Sequence, residues 1–282
     1  MDQNTSSNPL QKYFRQPSIY VKLPSEGKHY PPNTIDIPGN GEIPIYPMTA
    51  MDEIITRTPD ALFNGSAVAQ LFQSCVPNIK DPWVIPQVDI DMLFTAIRIA
   101  SYGHEMEMTV TCPKCNEVQD YALDLRTVID TYSSPDFTQK LVVDDLEIFF
   151  RPLNYNEISQ SAQKQFEQQK RIQLTTQAEN LSDEEKLKAM GEALTEVTKM
   201  TMATMNESIM SISTSGQVVE DRQQINEFMK NIDRALFKKI QDHLTGIREK
   251  SEMKPLSIGC KEKECGHQFE QPFTLDMSNF FV

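Results

Sequence analysis

Hydrophobic and polar positions follow two different periods along this chain. From residue 18 to 47 the apolar positions alternate between prolines, as in Ile19-Tyr20-Val21-Lys22-Leu23-Pro24 and Ile43-Pro44-Ile45-Tyr46-Pro47. Repeated proline forbids a helix and removes ladder donors, which predicts short edge strands, turns and loops. Such an arm either wraps its own body or lies across a partner, and the pattern weights the two equally. Residues 1 to 17 are polar and read as a mobile tail. Helical spacing begins at Thr49, a cap followed by Asp52 and Glu53 in the first turn, where the helix dipole favours acids. Thr58-Pro59-Asp60 predicts a restart, and Ser66 to Phe72 a helix with an apolar face. A buried helix over Asp91 to Ala100 is predicted to stop at Gly103. Leu141-Val142-Val143 and Leu146-Glu147-Ile148-Phe149-Phe150 flank Asp144-Asp145 as a hairpin.

From Asn154 to about Lys250 the pattern is helical throughout. Ser182 and Glu185 form a capping box that opens a long helix through Leu187, Met190, Leu194, Val197, Met200, Met205 and Ile209. A turn at Ser213-Thr214-Ser215-Gly216 leads to helices through Ile225, Phe228, Ile232, Leu236, Phe237, Ile240 and Leu244. The methionines Met190, Met200, Met202, Met205 and Met210 read first as core filling, and second as an adaptable binding face.

The five cysteines change this picture. Cys112 and Cys115 stand in a C-x2-C turn, Cys260 and Cys265 in a C-x4-C turn followed by Gly266-His267. Strand-like residues flank both, with Val110 and Ile258 each two positions before a first cysteine. Leu123-Asp124-Leu125 and Leu275-Asp276-Met277 close the two units as a pseudo-repeat. A tight hairpin aims two thiolates at one point, and two such knuckles supply the closed tetrahedron of a structural zinc site. The predicted metal ligands are therefore Cys112, Cys115, Cys260 and Cys265, holding one structural Zn2+. The spacing also admits four reduced thiols, or His267 in place of Cys265. An open catalytic zinc site would need three protein ligands and a nearby base, which the pattern lacks. Cys75, on an apolar stretch, reads as a small buried residue.

The fold class this predicts is α+β: mainly helical, with a split zinc ribbon of two β-hairpin knuckles interrupted by a long helical insertion, and an extended Pro-rich N-terminal arm. The parts fall at residues 1–47 (tail and arm), 48–153 (helical and β, with the first knuckle), 154–250 (helical insertion) and 251–282 (second knuckle and C-terminal strand).

Charge then narrows the function. Twenty-seven basic against 40 acidic residues leave a net −13 on 282 residues, the wrong sign for a nucleic-acid binder. No run approaches the ~18 apolar residues of a membrane span, and the first residues lack a secretory pattern, so an intracellular protein is expected. There is no phosphate loop or nucleophile elbow, and His29, His104 and His243 are far apart in sequence, each expected to serve locally. No enzyme is expected.

Five segments between residues 18 and 125 stand out together: Val21-Lys22-Leu23-Pro24-Ser25-Glu26-Gly27-Lys28-His29-Tyr30-Pro31, Tyr46-Pro47-Met48-Thr49-Ala50-Met51-Asp52-Glu53, Asn64-Gly65 with Cys75-Val76, Ala96-Ile97-Arg98-Ile99-Ala100-Ser101-Tyr102-Gly103, and the Cys112 to Cys115 knuckle. On these the chain resembles the baseplate hub assembly proteins of T-even-type contractile-tailed bacteriophages. The resemblance implies a non-enzymatic tail-morphogenesis protein of the infected host cytoplasm that promotes assembly of the baseplate central hub by binding other hub and tail proteins. The alternative it implies is a structural hub component retained in the mature virion. A homo-oligomer is compatible with either.

Overall fold

The computed structural model describes residues 8–58, 65–177, 182–249 and 255–273. Among them are eight α-helices and ten short strands in an α+β arrangement, with every strand pair antiparallel.

The first core is built mainly from the arm and two helices. Strands β1 (Ile19–Val21) and β2 (Ile43–Ile45) pair so that Ile19 meets Ile45 and Val21 meets Ile43. Prolines limit each to three residues, but alternation still buries Val21, Ile43 and Ile45. They pack on α2 (Ser66–Cys75) and α3 (Gln87–Tyr102), around Leu71, Phe72, Leu93 and Ile97. Helix α1 (Ala50–Thr56) starts at the predicted cap: Thr49 Oγ1 accepts from Asp52 N at 3.2 Å, and Asp52 Oδ2 accepts from Thr49 N at 2.7 Å. The Pro59-Asp60 restart lies outside the described residues. Helix α3 is buried on most of its circumference and ends at Gly103 with φ +89°, as predicted.

The arm wraps its own body. Ser25 donates to Asp89 of α3, Asp36 N donates to Asn78 O at 2.9 Å, and Ile35 bridges Ile79. Even the polar tail is tied down at Arg15, which donates to Ser74 O and Ser74 Oγ at 2.8 Å each and to Pro47 O. An arginine fork finds several acceptors at once, a tertiary event that local polarity does not announce.

The second core corrects the long helical insertion. Helices α5 (Tyr155–Gln177) and α6 (Asp183–Ser208) form as predicted, after the short α4 (Leu125–Ile129), and the Ser182 capping box is present. Residues 209–219, however, are not helix and turn but two strands, β7 (Ile209–Thr214) and β8 (Gln217–Val219). The Ser215-Gly216 loop between them has φ +39° and +89°, a two-residue hairpin whose twist matches its strands. β7 pairs with β6 (Leu146–Phe150), itself paired with β5 (Leu141–Val143), giving the sheet order β5-β6-β7-β8. Helices α7 (Arg222–Asn231) and α8 (Arg234–Glu249) cover this sheet through Ile225, Met229, Ile240 and Leu244. The helical excursion is thus only α5 and α6, leaving from β6 and returning to β7. Arg151 locks its base, donating to Glu157 at 2.6 Å and Glu207 at 3.3 Å while Arg151 N donates to Ser208 O. No described helix is long and apolar enough to cross a membrane.

Candidate metal centre

Strands β3 (Glu105–Thr111) and β4 (Val118–Asp124) form the first cysteine hairpin, β9 (Leu256–Gly259) and β10 (Gln268–Gln271) the second. Leu275-Asp276-Met277 lies outside the described residues, and Leu125 opens α4 instead of extending a strand.

The two turns share one construction. In each, the N–H of the first cysteine donates to the carbonyl two residues after the second: Cys112 N to Glu117 O at 2.9 Å, and Cys260 N to His267 O at 2.8 Å. The residue after the second cysteine is left-handed in both, Asn116 at φ +59° and Gly266 at φ +51°, residue types that tolerate it. Asn116 N then donates to Cys112 O, and Gly266 N to Glu262 O. The same turn is therefore made by 112–116 and 262–266, and the longer C-x4-C spacing only sets Cys260 two residues further back.

All four predicted sulfurs converge. The Sγ atoms of Cys112, Cys115, Cys260 and Cys265 lie within 4.8 Å of one another, with Cys112 to Cys265 at 3.9 Å and Cys115 to Cys260 at 3.6 Å. A zinc ion with 2.3 Å bonds to four sulfurs would space them roughly 3.8 Å apart. A disulfide needs about 2.05 Å, and all four thiols are free. The cluster can therefore hold a metal ion. The His267 ring lies with Phe269, centroids 6.4 Å apart, and the donor set found is thiol only.

Electrostatics inside the cluster favour one thiolate at a time. At Cys112 desolvation opposes ionisation, but hydrogen bonds from the Cys115 and Lys114 N–H groups and from neighbouring thiols outweigh it, bringing the thiol down to about 7. At Cys115 the backbone N–H of Glu117 favours the thiolate, but desolvation and the three other thiols push it up to about 12. Four adjacent sulfurs shed all their protons only against a cation.

A small core supports the turns. Val110, Ile258 and Phe269 are buried between the hairpins, the first two at positions the pseudo-repeat marks. Gln119 clamps them: its Nε2 donates to Gly259 O at 3.1 Å and its Oε1 accepts from Lys261 N at 2.7 Å. This residue was not singled out from sequence, although a polar side chain on the same strand parity as Tyr121 and Leu123 was the available signal. Lys261 Nζ adds a bond to Asp120 O.

The other singled-out residues lie elsewhere. Cys75 is fully buried, its thiol pushed up to about 12 by burial and by Asp52, against Arg15. His29 meets the Phe137 ring edge-on at 5.6 Å and His243 Nε2 lies 3.0 Å from Gln139 O, so these histidines join distant segments instead of serving locally. Of the methionines, Met205 is core, whereas Met190 and Met210 are exposed. A cavity of about 660 Å³ between the two main cores is lined by Asp91, Tyr132 and Arg151, whose guanidinium is already engaged by Glu157 and Glu207.

Among known proteins, a family model described as T4 bacteriophage base plate protein matches residues 16–282. Comparison with curated proteins and with solved structures gives no match.

Proposed function

Because the chain belongs to the family of T4 bacteriophage base plate proteins, we propose that it is a non-enzymatic tail-morphogenesis protein that promotes assembly of the baseplate central hub by binding hub proteins. We further propose that Cys112, Cys115, Cys260 and Cys265 hold one structural zinc ion in a split ribbon.

The observation that carries the zinc reading is the convergence of four sulfurs from opposite ends of a 144-residue interval, 116–259. Thiolates are soft donors that suit zinc, and four protein ligands leave no open position for a substrate, so the role is structural. Bound there, zinc supplies the positive charge that keeps four sulfurs deprotonated side by side. The chain's own part is to aim them: left-handed Asn116 and Gly266 fold the turns, and Gln119 fixes one hairpin on the other.

The assembly reading rests on the family and on charge. A net −13 steers the protein toward basic surfaces on other tail components, in the host cytoplasm where hubs are built. Mixed with purified hub proteins at low salt, the chain should form a complex that weakens as salt rises through the physiological range. No complex at low salt overturns this reading. Mass spectrometry of mature particles separates an assembly factor, which is absent, from a retained virion component, which is present at fixed stoichiometry.

A further inference from the structure

We propose that Arg98 is the docking point for an acidic side chain, a glutamate or an aspartate, carried by a hub protein. The proposal rests on the reading of the chain as a hub binder.

Arg98 stands near the C-terminal end of α3 and is only 9% exposed. Its Nε and Nη1 are enclosed and have no hydrogen-bond partner among the described residues, which leaves Nη2 as the nitrogen that reaches the surface. What the guanidinium meets is the Tyr102 ring, one turn along the helix, with the centroid 4.7 Å from Cζ. An aromatic face attracts a cation but does not replace the hydrogen bonds that five N–H groups made in water. An arginine is almost never buried without a partner.

The chain has acids to spare and does not use one here. Acidic residues outnumber basic ones by 40 to 27. The half-buried arginines Arg15 and Arg151 are each satisfied within the chain, Arg15 by the Ser74 and Pro47 carbonyls and Arg151 by Glu157 and Glu207. On the neighbouring α1, Asp52 is taken by Arg15 and by the Thr49 cap, and Glu53 accepts from Tyr102 OH at 3.2 Å. The carboxylate that fits Arg98 therefore comes from outside.

The surroundings suit a protein surface. The Tyr102 to Glu53 bond sets this end of α3 beside α1, where Met51 and Ile54 are each 61% exposed. Tyr102 itself is 38% exposed, which leaves its ring room to tilt outward. A carboxylate arriving from solvent meets Nη2 first, then pairs end-on with Nη1 and Nη2 as the ring gives way. Apolar neighbours of that carboxylate cover Met51 and Ile54 and keep water from the pair. The net −13 draws the chain toward a basic surface, and one acid within that surface fixes the register.

Titration calorimetry of the full chain with purified hub proteins at low salt tests this against Arg98→Met, which keeps an unbranched side chain and removes its charge. Arg98→Met should weaken the complex by about tenfold or more, although it makes the chain more acidic. Arg234→Met, which removes an exposed positive charge from α8, should bind as tightly as wild type or more tightly. In the isolated chain Arg98→Met should raise Tm, because an apolar side chain replaces an unpaired buried cation. A wild-type complex that Arg98→Met leaves unchanged overturns the proposal and spares the hub reading, whereas the absence of any wild-type complex overturns both. A fall in Tm shows that the guanidinium is already satisfied within the chain and overturns the proposal too. A dimer of the isolated chain, seen by sedimentation velocity and lost in Arg98→Met, assigns the carboxylate to a second copy and overturns the hub partner.

Discussion

Asp89 is fully buried in α3, with Ser25 N donating to its Oδ1 at 2.8 Å and Ser25 Oγ to its Oδ2 at 2.5 Å. Burial pushes its carboxyl up to about 6 from an ordinary 3.8, against the Ser25 hydrogen bonds, which favour the ionised form. The folded chain therefore holds this proton more tightly than the unfolded chain, and its contribution to stability falls as pH rises from about 4 to about 6, by about 3 kcal/mol in all. Asparagine has no proton to lose; its Oδ1 still accepts from Ser25 N, and its Nδ2 donates to Ser25 Oγ in place of accepting from it. Asp89→Asn should be the more stable protein at pH 7.5, with the Tm difference shrinking to about a third at pH 4.5; a difference that does not change with pH would refute the assignment. Metal loss at low pH affects both proteins alike and cancels. From sequence alone Asp89 merely leads into the helix predicted from Asp91, because what makes it unusual is Ser25, 64 residues away. The cysteines were legible because their chemistry is carried by type and spacing. Arg15 and Gln119 were not, because each acts on backbone carbonyls that sequence does not place nearby.

At the scale of elements, helix starts were the most legible feature. The Thr49 and Ser182 capping boxes lie within four residues of the N–H groups they satisfy, so local text suffices. The hairpin at 209–219 was missed because Met205 and Ile209 continue the helical spacing of α6, while the alternative partner, β6, lies about sixty residues upstream. Pairing of Ile148 with Ile212 outweighs a further turn of helix. Gly65 shows how two elements constrain one position. It precedes α2 at φ +75°, its carbonyl accepts from Tyr155 OH at 2.9 Å, and a Cβ there would lie 2.3 Å from Ser159 Oγ of α5. Gly65→Ala should cost about 2 kcal/mol or more in urea unfolding, from the left-handed backbone and the collision together. Adding Ser159→Ala should recover part of the loss; an unchanged midpoint for Gly65→Ala would show that α5 does not press on α2.

At the scale of the whole molecule, the described residues form three buried clusters joined across long sequence separations: the arm with α2 and α3, the four-stranded sheet with α7 and α8, and the paired cysteine hairpins. The last holds only five buried residues among those described, too few to keep two hairpins docked, so a metal should dominate its stability. Closing a loop of this size removes about 5 kcal/mol of unfolded-chain entropy. The purified chain should carry one zinc by elemental analysis, and Cys260→Ser should lose it. Amide exchange in that variant should then quicken around Val110, Ile258 and Phe269 while the first core keeps its protection. A chain without metal, or a variant with unchanged exchange, would refute the zinc reading. Sequence by itself determined the α+β class, the helix caps, the two cysteine hairpins and their four candidate ligands, since each depends on neighbours within a few residues or on donor chemistry. Only the tertiary structure decided that the arm lies on its own core, that the excursion narrows to two helices, and that Gln119 clamps the thiol turns. Those outcomes depend on which distant surfaces exclude water together, and local periodicity carries no information about that.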